Sequence, residues 1–469
     1  MPRGDIVPDA ATVFWNEGST RGDDRSMWTA DATPPDFTVN TRPSVDDPMT
    51  APESDSNGGE QNPRTRDSTP FRFEFASPTI RFGRGCVADL DAELERLNCE
   101  RALVVCGSTV GSTSAVIDPV RTGLGAELAG VFDETTPKKR LGTAFDGLDR
   151  LHETDADAIV AVGGGSSLDV AKVISALAAD ERSRGDIVAE FSETGTIAVP
   201  ESGLVSILAV PTTLAGADLS QAAGVTAAPA SDGSGRIDEE LGGGIGGREL
   251  MPAAAFYDPE LVATTPESVL AGSAMNGFDK GLETIYAANA TPITDATASR
   301  GLAALESGLR AYGRGERDPE TFETVLEGIV LVQYGISRPG ETTLSIIHAF
   351  GHGLTRTNDV QQGAAHAVVA PHVLEFVFAQ EDVDARVDLL ADALGVGANA
   401  EPAAAVVDRV TAVRDALSLP TRLRDVDGPE PDEFRAVAEA TLADRIVANA
   451  PPGLDPSVDE LVAVLEAAW

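Results

Sequence analysis

Two patterns of apolar and polar residues alternate through the chain between about residues 71 and 211. Apolar runs at 101–108, 156–162 and 204–211 are typical of strands buried on both faces. Between such runs, apolar residues recur at helical spacing, as in 142–151. The alternation predicts an α/β domain built on a doubly wound parallel sheet, which binds ligands at the carboxyl ends of its strands.

Two further segments show local patterns that predict a strand and a hairpin. Residues 71–75 alternate between phenylalanine and a charged residue, which favours a strand. Residues 229–249 are rich in glycine, serine and charged residues and predict a hairpin. Within them, 242–247 match G-x-G-x-x-G, but no buried strand precedes this match, so we interpret it as a flexible loop.

The pattern changes again near residue 266, where alanine-rich helical spacing begins. We therefore predict an α/β nucleotide-binding domain over 70–265 and an all-α domain over 266–469. Residues 1–69 are rich in Pro, Asp, Ser, Thr and Gly with little periodicity, which predicts a disordered acidic and polar tail.

The most informative stretch is 156–172, an apolar run followed by three glycines and an amphipathic segment. It predicts a strand, a tight turn and a helix that Ser166 or Ser167 caps, with Asp169 in the first helical turn. Glycines let the backbone approach a ligand closely, and a helix N-terminus attracts phosphate, so the turn suits a pyrophosphate. A strand–helix turn with no ligand is the alternative interpretation.

The charge balance excludes several classes of partner. A formal net charge of −40 repels nucleic acid and anionic membranes. Of the 35 basic residues only Lys138, Lys139, Lys172 and Lys280 are lysines, and such an acidic, lysine-poor chain suggests a protein from a salt-rich cytoplasm. Each lysine is therefore less expected to be a plain surface residue.

The three cysteines show no paired spacing and are interpreted as reduced, buried thiols. No apolar run is long enough to span a membrane, and the N-terminus lacks the apolar core of a signal peptide. We expect a cytoplasmic protein.

Candidate chemistry lies in the helical half. Four of the five histidines fall within 348–372, and His348 and His352 are four apart on one face of a predicted helix, as metal-ligand pairs often are. Asn276, Lys280 and Glu283 share a second helix face. A solvated polar face is the alternative for that second group.

The chain from about residue 71 to its end resembles the iron-dependent (group III) alcohol dehydrogenase superfamily. The resemblance is carried by 163–172, 211–213, 257–259, 348–372 and 449–451. It implies the dehydroquinate synthase-like fold of this superfamily, with a substrate cleft between the two domains, and assembly into at least dimers. Local sequence around Ala215-Gly216 and Met275-Asn276 is similar to that of maleylacetate reductases.

The resemblance also shows departures. The superfamily's usual metal ligands are an Asp and three His, and the matching positions here are Asn276, Lys280, His348 and Gln362. Neutral amides are poor ligands for iron or zinc, and an ammonium repels a cation, so we do not expect a tightly held metal. An alternative register would use Asp279, Glu283 and His366 but loses the rest of the match.

Lys280 is our candidate for the role of the missing metal. An ammonium can stabilise a developing alkoxide and can supply its proton. His348 and His352 are the competing proton donors.

The resemblance and the glycine turn together predict the residues that bind the cofactor. These are Gly107, Ser108, Gly163, Gly164, Gly165, Ser166, Ser167, Asp169, Lys172, Thr212 and Thr213. Gly107 and Ser108 stand where an acid would repel a 2′-phosphate, so NADP is allowed beside NAD and is the preferred expectation.

We therefore predict an NAD(P)-dependent oxidoreductase that transfers a hydride between nicotinamide and a small alcohol/carbonyl pair, namely an aldehyde, ketone or oxoacid. One alternative is a lyase or cyclase similar to dehydroquinate synthase that uses NAD transiently. Another is a dinucleotide-binding relative without catalysis.

Overall fold

The computed structural model describes residues 70–229, 237, 239–358 and 360–469, so the predicted tail lies outside the described residues. Six parallel strands form one sheet in the order β1-β8-β5-β4-β2-β3, and β6 and β7 form a separate antiparallel pair. The strands are β1 Thr79–Phe82, β2 Ala102–Gly107, β3 Leu128–Thr135, β4 Ala158–Gly163, β5 Ser206–Pro211, β6 Ala222–Ala227, β7 Leu241–Gly246 and β8 Ala254–Tyr257.

Helices cover both faces of the six-stranded sheet. Successive residues of β4 point to opposite faces, so Ile159 and Ala161 belong to one buried cluster while Val160 and Val162 belong to the other. Burial on both faces explains why the strands appear in the sequence as continuous apolar runs. The helices of this domain are α1 Leu90–Leu97, α2 Ser108–Ser112, α3 Ser114–Leu124, α4 Leu141–Glu153, α5 Gly165–Ala178, α6 Arg184–Thr194 and α7 Pro259–Val262.

The rest of the chain is helical. Its longest buried stretch is on α8, where every residue from 274 to 286 is buried. The helices are α8 Glu267–Tyr286, α9 Pro292–Gly313, α10 Pro319–Gln333, α11 Ile346–Thr357, α12 Gln362–Phe378, α13 Val387–Ala393, α14 Pro402–Ala416, α15 Phe434–Leu442 and α16 Val458–Ala467. Short 3-10 helices lie at Cys86–Asp89, Gly125–Glu127, Ala217–Leu219, Arg248–Leu250, Leu423–Asp425 and Arg445–Asn449.

Two local predictions are wrong. Residues 71–75 form no strand; Phe75 instead packs edge-on against Tyr334, with ring centroids 4.7 Å apart. Residues 242–247 are largely strand β7 rather than a flexible loop. Glycine is needed there because a Cβ on Gly243 would lie 2.1 Å from the carbonyl oxygen of Gly195.

The predicted fold class is confirmed: a parallel-sheet α/β domain is followed by an all-helical domain. The last strand ends at Tyr257 and α8 begins at Glu267. Within the described residues, no helix is both long and apolar enough to cross a membrane. Of the cysteines, Cys106 is buried as predicted, whereas Cys86 and Cys99 are only partly buried.

Candidate functional site: the glycine turn and the buried polar cluster of the helical domain

The glycine turn, residues 163–165, joins β4 to α5. Gly163 has φ of +135°, a conformation that side chains disfavour, and its carbonyl accepts the backbone N–H of Thr212 at 2.9 Å. Helix α5 begins at Gly165, and Gly164 is its N-cap without a side-chain cap, so the predicted Ser166 or Ser167 cap is wrong. The first backbone N–H groups of α5 therefore have no serine hydroxyl that competes with a ligand.

The backbone around this turn forms a close-fitting cradle. A Cβ on Gly164 would lie 3.1 Å from Thr213 Cγ2, and one on Gly107 would lie 3.2 Å from the carbonyl oxygen of Thr135. Ser167 Oγ is hydrogen-bonded to Thr135 Oγ1 at 2.8 Å. The ends of β2, β4 and β5 thus lie together at the helix N-terminus, and this arrangement fits the phosphates of a dinucleotide.

The side chains of Asp169 and Lys172 are buried and bond to other groups of the protein. Asp169 lies beyond the first turn of α5, contrary to expectation, where it pairs with Lys139 Nζ at 2.8 Å and accepts the N–H of Gly224. Lys172 Nζ donates to the carbonyls of residues 217, 220 and 222 at 2.7, 2.7 and 3.1 Å. Burial lowers the pKa of Lys172 to about 8.

Lys280 is buried on α8, and so are Asn276 and Glu283, so the solvated-face interpretation is wrong. Lys280 Nζ donates to the carbonyl of Ala215 at 2.6 Å and to Gln333 Oε1 at 3.3 Å. Ala215 lies two residues after Thr213, which borders the glycine turn. The ammonium is therefore held against the same loop that begins beside the predicted phosphate site.

Three buried histidines lie next to carboxylates. His348 Nδ1 is 2.5 Å from Glu283 Oε2, and the same carboxylate accepts the backbone N–H of His348. His366 Nδ1 is 3.2 Å from an oxygen of Asp279, and the His348 and His366 rings meet edge-on at 4.4 Å. Among the described residues, neither Nε2 of these two rings has a hydrogen-bond partner.

The third pair joins His352 Nδ1 to Asp444 Oδ2 at 2.8 Å, and within the described chain its Nε2 also lacks a partner. His372 lies apart from the cluster, partly exposed and 3.4 Å from Glu375. Both His366 and His372 are inside α12.

Burial controls the protonation of this cluster. It raises the pKa of the Glu283 carboxyl to about 8 and the pKa of the Asp279 carboxyl well above its ordinary value, the latter with help from the Glu283 charge. Burial also lowers the pKa of His348 and of His366 well below the ordinary value of histidine. Neutral imidazoles beside carboxyl groups can accept or pass on a proton.

Two family models match most of the chain. The model of the iron-containing alcohol dehydrogenases matches residues 77–259, and the C-terminal model of the Fe-containing alcohol dehydrogenase family matches residues 270–469. The chain belongs to the iron-containing alcohol dehydrogenase family. It is accordingly an enzyme of the alcohol dehydrogenase and reductase type, and its cofactor class is NAD(P).

Several known reductases are similar to this chain over nearly their whole length. Maleylacetate reductase of Pseudomonas aeruginosa is 27% identical over 401 residues, which cover 85% of this chain and 97% of that protein. Lactaldehyde reductase of Escherichia coli K12 is 27% identical over 408 residues, covering 83% and 98%. Sulfoacetaldehyde reductase from Bifidobacterium kashiwanohense, solved in complex with NAD+, shares the fold with a TM-score of 0.73 at 20% identity, covering 85% and 99%.

The residues at this family's expected metal positions do not fit a divalent cation. Asn276 and Gln362 are neutral amides, and Lys280 contributes an ammonium that is already hydrogen-bonded to a carbonyl and an amide. Only His348 remains of the expected set. In the described part of the chain, no group of three or more His, Cys, Asp or Glu side chains is arranged to hold a metal ion.

Sequence reasoning missed several polar residues of this site. Asp444 orients His352, and Gln221, Gln333 and Arg338 line a pocket with Lys280. None of them stands in a motif, because each reaches the site from a segment far away in the chain. The only local signal was Gly216, whose φ of +80° and missing Cβ make room for the Gln333 amide.

Proposed function

We propose that the protein catalyses NAD(P)-dependent hydride transfer between nicotinamide and a small aldehyde, ketone or oxoacid and the corresponding alcohol. The observation that carries the proposal is the 2.6 Å hydrogen bond from Lys280 Nζ to the carbonyl of Ala215. It holds the one ammonium of α8 against a loop whose start, Thr213, borders the glycine turn. Charge stabilisation and cofactor binding thereby share one loop.

In this proposal the backbone of Gly163, Gly164, Gly165 and Ser166 binds the pyrophosphate, since the N-terminus of α5 concentrates N–H donors there. The hydroxyls of Thr212 and Thr213, with Gly107 and Ser108, contact the remainder of the dinucleotide. The remaining predicted contacts become positioning residues: Ser167 anchors the turn to β3, and Asp169 and Lys172 hold the neighbouring loops.

In this proposal Lys280 supplies a positive charge and a proton to the carbonyl oxygen of the substrate. The bound nicotinamide supplies a hydride to the carbonyl carbon, and the oxygen must then take up a proton. A buried ammonium stabilises the developing alkoxide and can donate that proton. In this proposal His348, which contacts Glu283, and His352, which contacts Asp444, return a proton to the site. No step needs a divalent metal.

A carbonyl-substrate panel with NADH and NADPH in molar KCl tests this function, with the metal content measured on the same sample. The expected result is turnover at substoichiometric metal, insensitive to a chelator, with NADPH preferred because Gly107 and Ser108, rather than an acid, stand at the end of β2. Turnover that disappears with a chelator contradicts the metal-free role of Lys280. Tight cofactor binding without turnover of any aldehyde, ketone or oxoacid indicates a non-catalytic relative instead.

The homo-oligomer, the cytoplasmic location and the adaptation to high salt stay predictions. Measurements of mass in solution and of folding as a function of KCl concentration test the first and the last of these.

A further inference from the structure

A pocket beside Lys280 contains polar groups that the proposed hydride transfer leaves unused. It is formed by the loop 216–224, by α8 and by the segment 333–344. Three of its polar side chains, those of Gln221, Gln333 and Arg338, are only 1%, 3% and 3% exposed. We call this space the Lys280 pocket.

Several buried atoms in the Lys280 pocket lack partners. Both amide atoms of Gln221, Nε2 of Gln333 and Nε of Arg338 have no hydrogen-bond partner among the described residues. Each such atom destabilises the folded protein if it stays unsatisfied. Four of them, on three side chains around one pocket, indicate a ligand that supplies the missing hydrogen bonds.

The charges of the pocket favour an anionic group. Arg338 has five guanidinium donors, of which Nη1 lies 3.0 Å from Glu341 Oε2, a side chain that is half exposed. The carboxylate of Asp169 is already paired with Lys139. Lys280 adds a second cation. Lys280 and Arg338 are therefore the groups that could hold an anionic ligand in a chain whose net charge is −40.

Arg338 is held in place before any ligand arrives. Its backbone exchanges two hydrogen bonds of 3.0 Å with Glu341, in a turn that Gly340 completes at φ of +73°. Its guanidinium also lies 5.2 Å from the centre of the Phe73 ring. A cation fixed in this way loses little conformational entropy on binding.

We propose that the Lys280 pocket binds the carboxylate of an oxoacid substrate through Arg338, with the amides of Gln221 and Gln333 completing the hydrogen bonds and the substrate carbonyl next to Lys280. This inference rests on the proposed function and names its substrate class. With NAD(P)H bound, the carbonyl carbon would receive the hydride, the C=O π electrons would move to the oxygen, and that oxygen would take the proton of Lys280. A hydroxy acid and oxidised cofactor result, the carboxylate is unchanged, and Lys280 regains a proton that comes from water through His348 or His352.

Two four-carbon aldehydes, 4-oxobutanoate and butanal, test the proposal because they differ chiefly in the carboxylate. The wild type is expected to have the higher kcat/KM for 4-oxobutanoate. Arg338→Gln should lower that value about 10- to 100-fold, mainly through KM, since hydrogen bonds to charged groups contribute about 1.5–3 kcal/mol. Its kcat/KM for butanal should stay within about twofold.

Arg300→Gln is the matched control, because Arg300 is 64% exposed and pairs only at the surface with Glu327. It should leave both aldehydes unaffected. Equal losses for the two aldehydes in Arg338→Gln, or a wild type that does not favour 4-oxobutanoate, would contradict the proposal.

Gln221→Leu keeps the proposal testable if Arg338→Gln does not fold. Replacing an unsatisfied buried amide by an apolar side chain of similar size should leave Tm unchanged or raise it. The same change should raise KM for 4-oxobutanoate several-fold, a result that a purely structural amide would not produce. An unchanged KM would count against the ligand-binding role.

A titration of the enzyme–NADP+ complex with butanoate distinguishes a failure of the carboxylate pocket from a failure of the proposed function. Butanoate binding that is lost in Arg338→Gln, in a protein that reduces no carbonyl compound, supports the carboxylate pocket and overturns the proposed function. Reduction of butanal without butanoate binding supports the proposed function and overturns the pocket.

Discussion

The glycine turn and the Lys280 pocket are built from different materials. The turn consists of backbone groups from three consecutive glycines, and an added Cβ on Gly163 or Gly164 would lie 3.1 Å from a neighbouring side chain. The pocket consists of side chains from segments more than a hundred residues apart, such as Gln221 and the turn at Ser337, which are joined by a hydrogen bond of 2.9 Å. One site follows from local conformation and the other from long-range packing.

This difference determines how each site can fail. The turn fails when a Cβ is added, because the backbone can no longer take its angles or approach a phosphate. The pocket should lose its ligand when a charge or an amide is removed. Burying such a group costs free energy, and in this proposal the interaction with the ligand offsets that cost. Substitutions at the two sites should therefore affect different steps of catalysis.

The largest effect is expected for Lys280→Gln, which keeps a polar side chain but removes the ammonium. The turnover number should fall about 10²- to 10⁴-fold, the usual contribution of a positioned proton donor, while the cofactor Kd stays within about threefold. Steady-state kinetics and a cofactor fluorescence titration measure the two quantities.

Lys138→Gln is the control for that substitution, because Lys138 is an exposed lysine. If Lys280→Gln keeps its rate while a chelator abolishes the activity of the wild type, the pocket does not supply the charge, and a metal does.

A smaller effect is expected for Gly163→Ala. The added Cβ would lie 3.1 Å from Ser167 Oγ at φ of +135°, a backbone conformation that costs alanine about 1–3 kcal/mol. The cofactor Kd should rise about tenfold, with kcat at saturating cofactor changed much less. Gly242→Ala is the matched control, since no atom lies within 4 Å of its added Cβ. Equal Kd values for the two variants would show that the turn does not hold the cofactor.

The smallest effect concerns Lys172, which supports the loop between the two sites. Burial lowers its folded-state pKa to about 8, whereas in the unfolded chain it keeps its ordinary value of 10.5. Between these pH values the unfolded state binds more protons, so the free energy of unfolding should rise with pH.

Relative to Lys172→Met, the wild type should gain on the order of 1 kcal/mol per pH unit in this window. Urea unfolding in molar KCl at pH 8, 9 and 10 measures the difference between the two proteins. Parallel pH profiles would mean that Lys172 keeps an ordinary pKa.

Predictions from local sequence were right where the residues of one segment alone determine its conformation. The strand within 156–162, the glycines and the following helix were predicted together, because strands covered on both faces and glycine turns have characteristic residue patterns. The serine cap of α5 was wrong, since Gly164 takes the cap position and Ser167 is drawn to Thr135 on another strand. That competition is a tertiary contact, and helical spacing cannot reveal it.

In the helical domain the sequence identified Lys280, His348 and His352 as candidates but not what surrounds them. The carboxylates that orient the histidines include Asp444, 92 residues beyond His352. The sequence does not distinguish Arg338 from a surface arginine, because only the structure shows that this loop residue is buried.

By itself, the sequence determined the order of strands and helices, the glycine turn, the family and the substitutions at the family's metal positions. These features depend on local conformational preference and on residue identity, and both can be read from short stretches of sequence. The tertiary structure alone decided which charges are buried and which polar atoms face one another. Desolvation and hydrogen bonding act between atoms that are close in space, whatever their distance along the chain.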